Sequence, residues 1–277
     1  MIMQTSIMGE YRTDYNPTWC PGCGDYGVLR SIGMAFQEVG VKHEDLVVVS
    51  GIGCNGRFPH NFKAYGFHTL HGRVLPVAQG INITRPELCV VGIAGDGDAF
   101  AIGGGHVPHA ARRNPDIAYI VLDNGIYGQT KGQPSPTTPL GFKTKITPEG
   151  NREDPIDVSR LALAYGVSFL ARGFPGKPDH LARLIAEGIR HRGFALIHVL
   201  NPCPTFHDTW KEYMPKVLEI GPEHDPTNYE AAQKLVAVQE RIPIGVIFKQ
   251  DRPTLGERVM SSRGKQEDFK QFLATLR

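Results

Sequence analysis

The chain has 277 residues, 41% of them hydrophobic, enough for one large core or two small ones. Thirty basic residues against 28 acidic leave a net charge of +2, without the concentrated basic patch that neutralises phosphates, so nucleic acid is excluded as an expected partner. The longest apolar runs, "LVVV" at 46–49 and "LCVVGIA" at 88–94, fall short of the roughly 18 residues that span a bilayer; with no charged-then-apolar leader in residues 1–16, no membrane is expected and the expected location is the cytoplasm.

In chain order, the first feature is "WCPGCGDYG" at 19–27. Cys20 and Cys23 sit there on a glycine turn, and two thiolates alone cannot close a tetrahedral metal site. Apolar spacing at Val28, Ile32, Ala35, Phe36 and Val39 predicts a helix over 26–39. "LVVVSGIG" at 46–53 predicts a strand whose following loop carries Cys54, Asn55 and Arg57, and "FHTLHGR" then brings His68 and His71. "LCVVGIAGDG" at 88–97 predicts a second strand ending on Gly95-Asp96-Gly97 before a small-residue helix; Cys89 inside it reads as a small core hydrophobe. "IAYIVLDNG" at 117–125 predicts a third, ending on Asp123-Asn124. Residues 131–153, rich in Pro, Thr and Gly, predict a surface excursion ordered by a partner. Helical spacing returns at 154–165 and 178–192, "ALIHVLNP" at 195–202 predicts a fourth strand, and Cys203 follows between two prolines. Beyond 204 strand signals are poor; a helix is predicted around 228–239 and a charged tail after 262.

Continuous apolar strands alternating with helices predict a doubly wound α/β fold, a mostly parallel sheet flanked by helices, with ligands at the carboxyl ends of the strands. Residues 1–203 are expected to form the binding domain, and 204–277 an extension packed on it or on a partner subunit.

Two of those strand ends carry diphosphate chemistry. Glycines let the backbone approach a phosphate, and amides at the start of a helix point at the anion. The Gly-Asp-Gly turn is followed, after 25 residues, by "DNGIYGQT", and adjacent parallel strands would bring Asp96 and Asn124 together as oxygen ligands for a magnesium ion. This spacing resembles the thiamine diphosphate motif, with Asp123 standing where Asn is usual. The resemblance implies that Asp96, Asn124 and the Ile126 carbonyl bind Mg²⁺, and that Gly97, Asp98, Gly128 and Gln129 line the diphosphate.

Cys54 and Cys203, each in a loop after a strand, are the candidates to complete the Cys20–Cys23 site. One close pair and two distant singles fit the usual paired ligands of zinc less well than an iron–sulfur cluster. "WCPGCGDYG", "GIGCNGRFPH", "HTLHGRVLPVAQGI", "GDGDAFAIGGGH", "DNGIYGQTKGQ" and "NPCPTF", in that order, resemble the β subunit of a 2-oxoacid:ferredoxin oxidoreductase over roughly residues 15–250. The resemblance implies one [4Fe–4S] cluster on Cys20, Cys23, Cys54 and Cys203, beside thiamine diphosphate. It implies decarboxylation of a 2-oxo acid, acyl transfer to coenzyme A and single-electron transfer to ferredoxin. Arg57 is the expected substrate-carboxylate residue, and Ile52, Gly53, Cys54, Asn55 and His71 are expected beside the cofactor. The glutamate that activates the thiamine ring is expected on a separate α subunit, so no catalytic residue is assigned to this chain alone. The 2-oxoglutarate branch is favoured over the pyruvate branch. Alternatives are a non-oxidative thiamine-dependent decarboxylase and a non-catalytic module with a Cys₄ zinc site.

Overall fold

The computed structural model describes residues 9–238 and 240–262. The four predicted strands are present as β1 (Leu46–Ser50), β3 (Cys89–Gly95), β4 (Ile117–Asp123) and β8 (Phe194–Leu200). With β2 (Tyr65–His68) and β7 (Phe169–Gly173) they pair in parallel; β10 (Ile242–Lys249) joins β7 antiparallel, and β9 (Val217–Glu219) lies beyond it. The order is β2-β1-β3-β4-β8-β7-β10-β9. A short ribbon of β5 (Ile126–Tyr127) and β6 (Gln133–Pro134) stands apart from this sheet.

The central strands lack polar alternation because successive residues feed two cores. Val48, Ile93, Ile120 and Ile197 pack on one face with α1 (Gly24–Val39) and α5 (Pro178–Arg190). Val47, Val49, Tyr119, Val121 and Leu196 pack on the other with α2 (Val74–Thr84), α3 (Val107–Arg113), α4 (Val158–Ala164) and α7 (Tyr229–Val236). Helices α1, α4, α5 and α7 fall on the four predicted helical segments. Gly40 ends α1 in a left-handed conformation, its N–H returning to the Phe36 carbonyl at 2.9 Å. Asp157 caps α4, accepting from the Ser159 and Arg160 amides.

Three sheet strands escape periodicity for separate reasons. All four residues of β2 are exposed at the sheet edge; β7 carries a buried Arg172; and β10 contains Pro243, Gly245 and a register shift between Val246 and Phe248. Because β9 and β10 extend the same sheet, residues 204–262 are not a separate body. Two short helices, α6 (Trp210–Tyr213) and α8 (Leu255–Ser262), complete this part. The charged tail beyond 262 lies outside the described residues.

The segment 131–153 corrects an expectation. The chain's own hydrogen bonds order it, not a partner. Thr138 is fully buried and donates to the Gly125 carbonyl at 2.6 Å, and Asn151 Nδ2 donates to the carbonyls of Thr138 at 3.0 Å and Glu153 at 2.9 Å. Side chain to backbone bonds of this kind need no apolar period, which is why the segment reads as loose.

The chain leaves β1 toward β2 on one side and returns to β3 on the other. The loops after β1 and β3 therefore part at the carboxyl edge, and a crevice opens between them.

Candidate active site

That crevice is a cavity of about 220 Å³. It is lined by Ile52, Gly53, Cys54 and Asn55 after β1, by Gly95 to Asp98 after β3, and by Asn124 and Ile126 to Thr130 after β4. His71, Asp25 at the start of α1, and Asn201 after β8 close it. Asn55 Oδ1, Asp98 Oδ2 and Asn201 Oδ1 are buried without a hydrogen-bond partner, so three cavity-lining residues hold unsatisfied acceptors. Such groups mark a site built for a ligand that brings donors. Gly97 is required, since a side chain there would run into the Tyr127 ring.

The oxygen cluster lies at the ends of β3 and β4. Asp96 is 1% exposed; its Oδ1 accepts weakly from the Asn124 amide at 3.4 Å and its Oδ2 from Thr137 Oγ1 at 2.8 Å. Asn124 Oδ1 accepts from the Ile126 amide at 3.0 Å. Burial, and then the neighbouring Asp123 charge, push the Asp96 carboxyl above the usual range. Burial acts on Asp123 in the same direction, but His198, Thr137 and the Gly125 amide outweigh it and hold Asp123 below that range. Among the described residues no three His, Cys, Asp or Glu side chains converge to hold a metal ion by themselves. One carboxylate with an amide oxygen and a main-chain carbonyl matches a magnesium ion that takes its remaining ligands from phosphate and water.

The four cysteines of the expected cluster are free thiols in three loops of one neighbourhood, where Cys203 and Cys54 act electrostatically on Cys23 and Cys203 and Cys20 act on Cys54, although among the described residues no three of them are close enough to hold a metal ion. A Cβ built on Gly128 would make ordinary contacts with Cys203 Sγ at 3.6 Å and Cys54 Sγ at 3.9 Å, so this cavity-lining residue lies beside both sulfurs. Burial first, then the charges of Asp25, Cys203 and Cys20, push the Cys54 thiol up to about 11. Burial, followed by Asp25 and with smaller contributions from Cys203 and Cys54, carries Cys23 well above the ordinary thiol range. Burial also raises Cys203, partly offset by the amides of Phe206, Thr205 and His207. A bound cation would favour the thiolate forms of these cysteines, since thiolates are the metal-ligating state. The loops are cross-braced: Trp19 Nε1 donates to the Cys54 carbonyl at 2.7 Å, Trp210 Nε1 to the Gly22 carbonyl at 2.9 Å, and the Gly24 amide to the Pro202 carbonyl at 3.1 Å. Cys89 lies at the other end of β3, half-buried against the α1 core and away from this group.

Two expected residues have other hydrogen-bond partners. Arg57 is outside the cavity lining; its guanidinium turns onto Thr18 instead. Asp98 lines the cavity, but its Oδ1 is taken by His71 Nδ1 at 2.6 Å, the Gly72 amide at 2.8 Å and the Ile52 amide at 3.1 Å. Its Oδ2 is buried beside Gly51 without a hydrogen-bond partner. From the extension beyond 203, His207 donates through Nδ1 to the Asn124 carbonyl at 2.7 Å. His71 does line the cavity, with Ile52, Gly53, Cys54, Asn55, Gly97, Gly128 and Gln129. Residues that sequence reasoning missed are Asp25, Asn201, Thr137, His198 and His207. Asp25 stood inside the opening motif and His198 interrupts an apolar strand; the others carried no local signal.

A family model described as thiamine pyrophosphate enzyme, C-terminal TPP binding domain, matches residues 51–199. Another, for the C-terminal part of the pyruvate ferredoxin oxidoreductase beta subunit, matches residues 203–263. The β subunit of 2-oxoacid:ferredoxin oxidoreductase 2 of Aeropyrum pernix is 41% identical over 265 residues, covering 90% of this chain and 86% of that one. The chain belongs to the family of 2-oxoacid:ferredoxin oxidoreductase β subunits. This β subunit is also 47% identical over 204 residues to the 2-oxoglutarate synthase subunit KorB of Archaeoglobus fulgidus, covering 73% of this chain and 76% of the relative. Among solved structures, it resembles the 2-oxoglutarate:ferredoxin oxidoreductase from Magnetococcus marinus with 2-oxoglutarate, coenzyme A and succinyl-CoA bound. The TM-score is 0.92 at 39% identity, covering 96% of this chain and 94% of that one. The thiamine diphosphate resemblance read from the strand-end motifs is thus matched by a family model that runs from the loop after β1 into β8.

Proposed function

We propose that this β subunit works with a separate α subunit to decarboxylate 2-oxoglutarate oxidatively, with coenzyme A as acyl acceptor and ferredoxin as electron acceptor. In this reading it holds thiamine diphosphate through Mg²⁺ and carries one [4Fe–4S] cluster. The observation that carries the proposal is Gly128, which lines the cavity while its Cα faces two of four gathered cysteines. A non-oxidative decarboxylase has no use for that neighbourhood.

When bound, thiamine diphosphate supplies the electron sink for decarboxylation and the cluster takes electrons singly. The chain's own residues position them. Asp96, Asn124 Oδ1 and the Ile126 carbonyl would hold the magnesium ion, and Gly97, Gly128 and Gln129 would flank the diphosphate. Asn55 Oδ1, buried and unpaired, would accept from the cofactor ring. Cys20, Cys23, Cys54 and Cys203 would bind the cluster as thiolates. Cys20, the exposed member, gives the cluster its outlet toward ferredoxin.

Two features support a partner across the mouth. Among the described residues no glutamate lines the cavity, and its volume is below the roughly 300 Å³ at which ordinary ligand pockets begin. Preference for 2-oxoglutarate is supported by the substrate named for the relatives. Among the described residues no helix is long and apolar enough to cross a membrane. Free cysteines suit a reducing compartment, and we assign the enzyme to the cytoplasm.

The test is anaerobic co-purification with the α partner, metal analysis, and EPR after adding 2-oxoglutarate or pyruvate. About four irons per chain and a substrate-dependent radical with faster turnover of 2-oxoglutarate are expected. One zinc and no iron would overturn the reading, and turnover by the lone β subunit would refute the need for a partner.

A further inference from the structure

Asp123 stands where the thiamine diphosphate motif usually has Asn, and this places a second carboxylate at the edge that holds Asp96. The two strands are adjacent and parallel, with Gly95 in register with Leu122. A single hydroxyl lies between the pair: Thr137 Oγ1 is 2.8 Å from Asp96 Oδ2 and 2.7 Å from Asp123 Oδ1, and it has one proton to donate to either. Asp123 Oδ1 also accepts the Gly125 amide at 3.1 Å. Its Oδ2 faces His198 Nε2 at 2.9 Å. A carboxylate only accepts, so Nε2 carries the proton and donates. His198 is 5% exposed, and its Nδ1 is buried without a partner; its one hydrogen bond to a side chain is the one to Asp123. Beside it on β7, in register, is the buried Arg172, which donates to Ser159 Oγ at 2.6 Å.

Asp123 therefore has both oxygens engaged away from the cavity, and it is absent from the cavity lining. Asp96 is different. Thr137 holds its Oδ2, whereas Oδ1 has only the long 3.4 Å contact with the Asn124 amide. A carboxylate fixed through one oxygen offers the other at a defined angle, as outer-layer hydrogen bonds do around bound metals.

We propose that Thr137 is a positioning residue for Asp96: it donates its single proton to Oδ2 and leaves Oδ1 to the divalent cation, while His198 and the Gly125 amide hold Asp123. The inference rests on the reading that Asp96 and Asn124 hold Mg²⁺ for thiamine diphosphate. His198 keeps Asp123 turned back. Without it, Asp123 Oδ2 loses its partner and is free to swing toward the cation, adding a second negative charge beside the diphosphate.

The test uses the full chain with its α partner, stripped of metal and cofactor. Affinity for thiamine diphosphate is measured by calorimetry at fixed Mg²⁺, and the cation site is read by EPR with Mn²⁺ in place of Mg²⁺. Thr137→Val is expected to weaken cofactor affinity by about 10- to 100-fold and to change the Mn²⁺ spectrum, whereas Thr137→Ser, which keeps the hydroxyl, restores both. If Thr137→Val does not fold, a second cycle decides. His198→Ala should weaken binding with Asp123 present and have little effect beside Asp123→Asn, whose amide can donate to Thr137 Oγ1 and carries no charge. Wild-type affinity in Thr137→Val, failure of Thr137→Ser to rescue, or equal losses from His198→Ala in both backgrounds would overturn the proposal. Cofactor binding by the wild type that does not depend on Mg²⁺ would instead refute the reading beneath it.

Discussion

Asp25 is a carboxyl kept in an unfavourable place, and Asp25→Asn tests whether it is held there against stability. It is 2% exposed, and its Oδ1 accepts Asn201 Nδ2 at 2.7 Å. Burial dominates and raises it from an ordinary 3.8 to about 6, despite the hydrogen bonds from Asn201 and Cys23. In the folded chain Asp25 therefore keeps its proton to about pH 6, while the unfolded chain releases it near pH 4. Below about pH 4 the group costs nothing; between about 4 and 6 stability declines as pH rises; above that range the loss is complete. At about 1.4 kcal/mol per tenfold, it amounts to roughly 3 kcal/mol. Asp25→Asn removes this dependence, and the new amide can donate to Asn201 Oδ1, which is buried without a partner. Urea unfolding of the iron-free chain, under reductant, should show the variant more stable than wild type by roughly 2–3 kcal/mol at about pH 8 and nearly equal at about pH 4. A variant less stable than wild type at about pH 8, or one that keeps the decline between about 4 and 6, would refute the reasoning.

Cys203→Ser should abolish most of the iron measured after anaerobic reconstitution, whereas Cys89→Ala, at the far end of β3, should keep it; loss of iron in both would place the cluster elsewhere. Thr138→Val leaves the buried Gly125 carbonyl and Ser135 amide without their hydroxyl partner, an expected cost of about 1–3 kcal/mol; thermal melting and faster proteolysis within 131–153 check it. Asp96→Ala should leave a folded chain whose thiamine diphosphate binding no longer responds to Mg²⁺, read by calorimetry.

The sequence by itself determined the two-faced parallel sheet, because fully buried strands write their burial into consecutive apolar residues such as "LVVV" and "LCVVGIA". It also determined which groups cap those strands, since Asp96, Asn124, Cys54 and Cys203 each follow a strand by a residue or a few. Tertiary structure alone decided how these groups are held. Asp25 and Asn201 meet across 176 residues of chain, His207 and Asn124 across 83, and Thr137 reaches both Asp96 and Asp123 from a segment without periodicity. It also turned Arg57 onto Thr18 and set His71 against Asp98, pairings that their motifs do not suggest. The physical reason is the same throughout. Apolar burial is additive along the chain and leaves a period, whereas a buried hydrogen bond depends on one donor meeting one acceptor in three dimensions, which no local pattern records.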